Sequence, residues 1–509
     1  MRGGTRVNKG KVWLVGAGPG DIGLLTLKGM EILNNAEVVV YDSLVGDSIL
    51  SKVPAGAKLI NVGKRADKHT MKQEQINEVL LEEAQKGYRV VRLKGGDPFL
   101  FGRGGEELEL LTSNGIPYEV VPGVTSSIAV PAYNGIPVTH RDFCSSVHII
   151  TGHRRAGRDY DINFNALVET KGTLVFLMGI SALADICKGL LDAEIDPDMP
   201  AAVLQKGTTA DQKRVVATVA TLKEEVDRQG IETPAIIVVG KVCALSNDFD
   251  WYERLPLAGW KVVVTRPKGR SSRTSMELRK RGAEVLELPS IATVPSENNN
   301  ALRGAMEVID AYSWLVFTSP TGAEIFFDEL KTMRKDIRAL ANLKIAVIGQ
   351  GTAKVLEDKG IIVDLIPDKY DGEALGRTLS EIVNEGDKIL IPRARVGNEK
   401  LVTLLTDKGA VVDDVPTYDT VYEKSPIVQV DKEISSGDID CVIFTSASTV
   451  KGFVESTKLE DYSGVVAACI GEQTKNAADS FGMMTYKAEK ATIDSLIELV
   501  VKIKNEYEV

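Results

Sequence analysis

Histidine and cysteine are scarce in this chain, with four of the first and five of the second in 509 residues. The cysteines (Cys144, Cys187, Cys243, Cys441 and Cys469) show no C-x-x-C spacing, and His69, His140, His148 and His153 include no H-E-x-x-H. A disulfide framework and a Cys/His metal site are therefore not expected, and a reduced, cytoplasmic protein without a structural metal is. Long apolar runs are missing as well: none approaches the roughly eighteen residues a membrane span requires. The basic start, M-R-G-G-T-R-V-N-K-G, has no apolar segment behind it and does not read as a signal peptide. Nor is there an excess of positive charge. With 61 Lys and Arg against 71 Asp and Glu, the net charge of −10 argues against bulk nucleic-acid binding. What is present, 44% apolar and 26% charged residues, is ordinary for a soluble globular protein. The chain is too long for one core, and about two to four domains are expected.

The most informative stretch is Val90 to Glu107, V-V-R-L-K-G-G-D-P-F-L-F-G-R-G-G-E-E. A short β-branched run turns through Gly95 and Gly96, and Asp97-Pro98 halts regular structure, because proline has no N–H and restricts the residue before it. Glycines after a buried strand let a backbone approach a ligand closely. A plain tight turn is the competing reading. Upstream, the strand Lys11–Val15 runs into G-A-G-P-G-D-I-G, in which Gly18 to Gly23 match G-x-G-x-x-G. Asp42 closes the strand V-V-V-Y-D about where a ribose-binding acid would sit, so a nicotinamide-binding Rossmann domain competes. Pro19 inside the loop weakens it by removing a donor that a pyrophosphate cradle would use.

Thr70-x-x-Gln73 has the form of a capping box. Ile76, Val79, Leu80 and Ala84 keep helical spacing and Gly87 closes the helix, which delivers the chain into the strand Arg89–Leu93. Alternating strands and helices predict an α/β fold with a mainly parallel sheet. Gly16–Asp21, Asp42, Lys64 and Gly95–Asp97 all fall at C-terminal strand ends, where such sheets bind ligands. Thr125 and Ser126 can cap a helix with free N–H groups. T-L-V-F-L-M-G reads as a strand ending at Met178-Gly179, with Met178 in the core unless a flat ring needs a polarizable wall. L-Q-K-G-T-T (204–209) and the strand Ala235–Gly240 complete a second lobe.

Together, V-G-A-G-P-G-D, Y-D-S-L-V, V-G-K-R, the 90–107 stretch, V-P-G-V-T-S-S and G-I-P-V-T-H-R-D resemble the tetrapyrrole (precorrin) methyltransferase family, over about residues 11 to 247. Within it they are similar to uroporphyrinogen-III C-methyltransferases. The resemblance implies S-adenosylmethionine as donor, no metal, and methylation of uroporphyrinogen III at C2 and C7 to precorrin-2. It also implies two lobes, about 11–122 and 123–247. Carried over by position, Pro19, Gly95, Gly96, Asp97, Leu100, Thr125, Ser126, Met178 and Gly207 would line the donor site. Asp42 would accept a proton and Lys64 would donate one, the competing readings being a strand-end cap and a solvated charge. Arg103, His140, Arg141, Arg154 and Arg155 are candidates for the substrate's carboxylates. A homodimer through this half is compatible with the resemblance. The family also includes siroheme synthases with a preceding dehydrogenase–chelatase module. Only about ten residues stand before Lys11 here, so oxidation and iron insertion are not expected.

A polar stretch with aromatics, Ser246–Leu257, leads into a new strand at Trp260, which places a domain boundary near residue 256. Beyond it the chain repeats. Lys261-V-V-V-T-Arg266 recurs as Lys388-I-L-I-P-Arg393, Arg281-Gly282-Ala283 as Lys408-Gly409-Ala410, Pro289 as Pro416 and Phe317-Thr318-Ser319 as Phe444-Thr445-Ser446, each 127 positions on. V-I-G at 347 returns as C-I-G at 469, 122 positions on. A duplication with two similar α/β lobes follows. Polar residues gather at strand ends before helices (Thr265-Arg266, Thr318-Ser319, Gly349–Thr352, Arg393, Thr445-Ser446, Gly471–Thr474), where helix N-termini attract anions. No nucleophile pair or carboxylate dyad accompanies them. A two-lobed ligand-binding module and an enzyme that works mainly by shape both fit.

V-V-V-T-R-P, F-T-S, P-T-Y-D-T-V-Y, I-F-T-S-A-S-T-V and C-I-G-E-Q-T resemble the uroporphyrinogen-III synthase family over roughly 257–509. That resemblance implies cyclisation of hydroxymethylbilane with loss of water and inversion of ring D. It implies lobes joined by a two-stranded ladder, with crossings near 289–296 and 415–424. One lobe would be about 257–290 plus 424–509, the other about 296–416. Tyr418 matches the family's cleft tyrosine, against a packed linker tyrosine as the plain alternative. Ser319, Ser446 and Thr474, with Arg266 and Arg393, are candidate carboxylate binders. The full expectation is α/β throughout: a two-lobed tetrapyrrole-methyltransferase fold over 1–256, then a two-lobed duplicated α/β domain over 257–509. The partners expected are small tetrapyrroles, not nucleic acid or membrane.

Overall fold

The computed structural model describes residues 9–54, 56–63, 71–152, 162–267, 273–296, 299–397, 399–422 and 430–507, without the side chains of 266, 267, 289–293, 295, 420 and 422. Lys64, Thr70, Arg154 and Arg155 lie outside the described residues, as does the side chain of Arg266.

The first sheet contains β1 (Lys11–Gly16), β2 (Val38–Tyr41), β3 (Lys58–Asn61), β4 (Arg89–Lys94) and β5 (Tyr118–Val121), in the order β3-β2-β4-β1-β5. Every pairing is parallel. Successive residues of the V-V-V run feed separate cores on opposite faces: Val39 and Val91 pack with Leu33 and Ile49, while Val38, Val40 and Val90 pack with Leu80 and Leu111. Helices on both faces are what makes uninterrupted apolar strands stable here.

The helix entering β4 spans Gln73–Gln85 and starts later than the sequence suggests. The expected Thr70–Gln73 box is not its cap: the Lys72 N–H donates to Gln75 Oε1 at 2.9 Å, two residues further on. Ile76, Leu80 and Ala84 face the core, and Gly87 ends the helix with φ +93°.

The second sheet holds β6 (Val147–Thr151), β7 (Thr173–Leu177), β8 (Pro200–Gln205), β9 (Lys213–Thr218) and β10 (Ala235–Val239), in the order β6-β7-β10-β8-β9. Only β6–β7 is parallel, so the mainly parallel expectation fails in this lobe. The physical reason is the short 206–212 connection between β8 and β9, which has room for a hairpin but not for a crossover helix.

The third sheet has nine strands: β11 (Lys261–Pro267), β12 (Glu284–Pro295), β13 (Trp314–Phe317), β14 (Lys344–Val347), β15 (Lys388–Ala394), β16 (Val411–Tyr422), β17 (Cys441–Phe444), β18 (Val466–Cys469) and β19 (Met484–Lys487). Their order is β14-β13-β15-β16-β12-β11-β17-β18-β19. β15, β16 and β17 start where the repeat would put copies of β11, β12 and β13. Both β12 and β16 are long: each pairs parallel with its own neighbour at the start, then the two pair antiparallel, Ile291 with Tyr422 through Pro295 with Tyr418. One end of the sheet therefore combines β11 and β12 with β17–β19, and the other combines β13 and β14 with β15 and β16.

The 246–257 segment is packed rather than loose. Trp251 Nε1 donates to the Ala132 carbonyl at 2.9 Å, and Tyr133 meets the rings of Trp251 and Tyr252 at 5.1 and 4.8 Å. Further contacts tie the first half to the third sheet: Ala210 N–H to Glu284 Oε2 at 2.8 Å and Lys52 Nζ to Glu287 Oε2 at 2.5 Å.

Candidate functional sites

In the first half, the C-terminal ends of β1, β4 and β5 converge on a glycine-lined crevice. A Cβ on Gly16 would come within 2.5 Å of Gly123, and one on Gly123 within 2.2 Å of the Gly96 carbonyl, so the three strand ends meet at a distance only glycine permits. Gly18 and Gly96 exchange both hydrogen bonds, at 3.1 and 2.7 Å. That bridge counts against the dinucleotide reading, because the amide of Gly18, the first glycine of the fingerprint, is spent on the Gly96 carbonyl. Gly23 also sits in a one-turn 3-10 helix capped by Asp21, not in the first turn of a long helix.

Asp97 organises the loop. Its Oδ1 accepts from Phe99 and Leu100 amides at 2.8 and 3.0 Å, and its Oδ2 from the Gly123 amide at 3.0 Å. Both carboxylate oxygens thus hold backbone in place. After it, Phe101 and Arg103 adopt left-handed backbone, φ +54° and +56°, a cost that residues with side chains bear where surrounding structure holds them. Arg103 precedes the helix Gly104–Ser113 and pairs with Glu106 through Nε and Nη2, at 2.9 and 2.5 Å.

Across the crevice, Thr125 caps the helix Ser126–Tyr133, with its Oγ1 accepting from Ser127 N–H. Met178 follows β7 with φ +56° and is half exposed, so it is not a core methionine. The lobes meet at Asp21: its amide donates to Thr208 Oγ1 at 3.2 Å and its Oδ2 accepts from the Tyr133 hydroxyl at 2.7 Å. A Cβ on Gly20, beside Pro19, would reach Thr209 Cγ2 at 2.7 Å, and one on Gly207 would strike Val130 at 2.3 Å. Pro19, Gly95–Asp97, Leu100, Thr125, Ser126 and Gly207 are thus drawn together by strand ends and loops. His140 is stacked on Phe143 at 4.7 Å, with the exposed Arg141 beside it.

Asp42 directly follows β2 and is joined to a buried charge cluster that the sequence reading missed. Arg92 Nη2 lies 3.4 Å from Asp42 Oδ2 and Arg92 Nε 3.1 Å from Glu107 Oε1, while Lys94 Nζ reaches the same Glu107 oxygen at 2.8 Å. Arg92, Lys94 and Glu107 are buried, and burial, then the neighbouring Arg92 charge, lowers the Lys94 pKa. The available signal was R-x-K inside an otherwise apolar strand: two charges two residues apart point to one face of a buried sheet.

In the second half, the Tyr418 hydroxyl lies 2.8 Å from Ser319 Oγ on the ladder that joins the two ends of the sheet. Tyr418 is buried, which raises its pKa, partly offset by Ser319. Ser319 caps the helix Pro320–Thr332, accepting from the Gly322 amide at 3.0 Å. Ser446 caps the matching helix Ala447–Thr457. Arg393 is buried and forms a forked pair with Asp414, at 2.7 and 2.6 Å. Thr474 is on the buried side of the helix Glu472–Asp479. Arg393 and Thr474 therefore shape this region from within, and neither offers the exposed group expected of a carboxylate binder.

Residues 11–223 match the family model Tetrapyrrole (Corrin/Porphyrin) Methylases, and residues 272–498 match Uroporphyrinogen-III synthase HemD. Over 494 residues the chain is 48% identical to porphyrin biosynthesis protein HemD of Ruminiclostridium josui, covering 97% of this chain and 98% of that protein. The chain belongs to this family of porphyrin biosynthesis proteins. Its first half is 51% identical to siroheme synthase 2 of Cronobacter sakazakii over 245 residues, 48% of this chain and 53% of that protein, so the chain spans about half the length of such relatives. A crystal structure of uroporphyrin-III C-methyl transferase from Thermus thermophilus, complexed with S-adenyl homocysteine, is 40% identical, covers 46% of this chain and 99% of that one, and has a TM-score of 0.41.

The crevice residues fit an S-adenosyl group on this structure's own geometry. The position a Cβ would take on Gly96 meets nothing nearer than the Ser126 amide at 3.9 Å, which leaves a gap faced by a helix-start N–H. Met178 stands exposed on the neighbouring lobe.

Proposed function

We propose that the chain is a bifunctional enzyme of tetrapyrrole synthesis. Its second domain, 257–509, cyclises hydroxymethylbilane to uroporphyrinogen III, and its first, 1–256, methylates that product twice to give precorrin-2. One observation carries the reading: both family matches lie in one chain that aligns almost end to end with a single porphyrin biosynthesis protein.

S-adenosylmethionine, when bound, supplies a methyl group already activated on a sulfonium. The crevice residues from Pro19 to Gly207 named above would hold it, with the loop ordered by Asp97 excluding water. Holding methyl and pyrrole carbon in line supplies much of the rate. The methylated macrocycle is a cation that must shed a proton; on this reading the Asp42 carboxylate takes it and Lys64 returns one. Arg103, His140 and Arg141 serve the substrate's carboxylates. In the second domain, Tyr418 hydrogen-bonds the departing hydroxyl, while helix starts at Ser319 and Ser446 receive side-chain carboxylates. An electron-rich pyrrole expels hydroxide readily, so the protein must chiefly hold the ring-closing conformation.

The protein is placed in the cytoplasm on this reading; among the described residues no helix is long and apolar enough to cross a membrane. The test is direct. Hydroxymethylbilane and S-adenosylmethionine, incubated with this protein alone, should give dimethylated type III product. Uroporphyrinogen I alone would overturn the synthase assignment, and undimethylated uroporphyrinogen III the methylation.

A further inference from the structure

Both rims of the crevice rest on one strand of the other domain. From the first lobe, the loop 42–46 lies over the crevice glycines: a Cβ on Gly95 would come within 2.6 Å of Leu44 Cβ, and one on Gly46 within 3.4 Å of the Gly20 carbonyl. The loop runs straight into the short helix Asp47–Leu50, which packs against β12, and Lys52 Nζ then reaches Glu287 Oε2 on that strand at 2.5 Å. From the second lobe, the 206–212 connection carries Gly207 to the crevice, and its Ala210 amide donates to Glu284 Oε2, at the start of the same strand, at 2.8 Å.

The 206–212 connection needs holding. Lys206 and Thr208, on either side of Gly207, take left-handed backbone with φ +44° and +72°, a conformation that costs residues with side chains and persists where neighbours impose it. The Asp21 amide on Thr208 Oγ1 at 3.2 Å and the Thr208 amide on Gln212 Oε1 at 2.9 Å are anchors from within the first half. Glu284 comes from the other domain. The linker fixes where it arrives: Tyr252 packs on Tyr133 and its hydroxyl donates to the Gly282 carbonyl at 3.4 Å, while the Leu257 amide donates to the Arg281 carbonyl at 2.7 Å. The turn that opens β12 is thereby tied to the first half before Glu284 meets Ala210.

We propose that Glu284, a residue of the synthase domain, is a positioning residue for the methyl donor: by holding the Ala210 amide it keeps Gly207 at the crevice, while the Lys52–Glu287 pair holds the opposite rim. The second domain then serves the first domain's reaction as well as its own. This rests on the reading of the crevice as the S-adenosylmethionine site.

Two substitutions at one position test it, because Glu284→Ala removes the acceptor and Glu284→Gln keeps a carbonyl oxygen there. In the intact protein, Glu284→Ala should raise the calorimetric Kd for S-adenosylmethionine, and the donor KM with it, about tenfold, the worth of one hydrogen bond to a charged acceptor. Methylation kcat at saturating donor and cyclisation of hydroxymethylbilane should stay at wild-type values, and Glu284→Gln should restore most of the donor affinity. A merely structural role would lower the melting temperature and leave Kd where it is; that result overturns the proposal. Should Glu284→Ala not fold, Lys52→Gln loosens the other rim while Glu287 keeps its Arg279 partner at 3.4 Å, and a smaller rise in Kd is expected; no rise overturns the brace. If the wild-type protein binds no S-adenosylmethionine, it is the donor reading that fails. The brace is then read from amide exchange over residues 206–212, which should quicken in Glu284→Ala and not in Glu284→Gln, equal exchange in both overturning it.

Discussion

Tyr418 sits where a single oxygen carries both structure and chemistry. Its hydroxyl shares a 2.8 Å hydrogen bond with Ser319, and Ser319 in turn caps a helix, so removing the oxygen touches one bond and leaves the cap. Tyr418→Phe should slow cyclisation about five- to tenfold, the worth of one hydrogen bond of about 1 kcal/mol, while the far-ultraviolet spectrum stays unchanged. A wild-type rate would remove Tyr418 from the mechanism. Individual residues were unevenly legible. Asp97 stood out because glycines and a proline around it mark a strand end, and Asp42 because it closes an apolar β-branched strand. Arg393 misled, because a strand-end arginine looks the same in sequence whether it faces a ligand or, as here, a carboxylate of the next strand, Asp414. Arg92, Lys94 and Glu107 were in view inside the most informative stretch, yet their meeting depends on a helix folding back over β4, which spacing alone does not reveal.

At the level of elements, the crevice exists because three strand ends come closer than any Cβ allows. Gly123→Ala would place a methyl 2.2 Å from the Gly96 carbonyl, a backbone atom that cannot rotate away. Strain of about 1–3 kcal/mol is expected, with donor binding lost or much weakened by calorimetry. Gly105→Ala, where nothing lies within 4 Å, should leave binding intact and gain up to about 1 kcal/mol of helix stability. Equal effects of the two substitutions on binding would show that the crowding at Gly123 is unimportant. The strands of the first sheet were readable as apolar β-branched runs, and the duplication was readable as a fixed offset. The start of the Gln73–Gln85 helix was not, since Gln75 and Gln73 are equally good partners for a residue three before them. The antiparallel second lobe was missed because strand direction is set by connection length and by pairing partners far apart in the chain.

Across the whole molecule, the two halves share a polar junction. Glu433, beside β11, is pushed up to about 8 by burial and by its hydrogen bond with Asp47 of the first half, against the pull of Lys261. Burial likewise raises Glu284, which accepts from Ala210 at the same junction and also feels Lys261, Asp211 and Asp47. A carboxyl raised above its unfolded value keeps its proton longer when folded. Its contribution to stability is therefore present at low pH and is lost as pH rises through the window between 4.5 and about 8. Thermal unfolding at pH 6 and pH 9 should show a smaller loss for Glu433→Gln than for wild type; equal losses would clear this group of any part in the junction.

Strand exchange in the nine-stranded sheet also constrains how the chain can come off the ribosome. Within this sheet β11 and β12 are made first, but β11 finds its outer neighbour β17 only after β13 to β16 have been made. Until then the early strands present an open edge, while the other end of the same sheet is already complete. The β17–β19 end must therefore close onto strands that were made well before it.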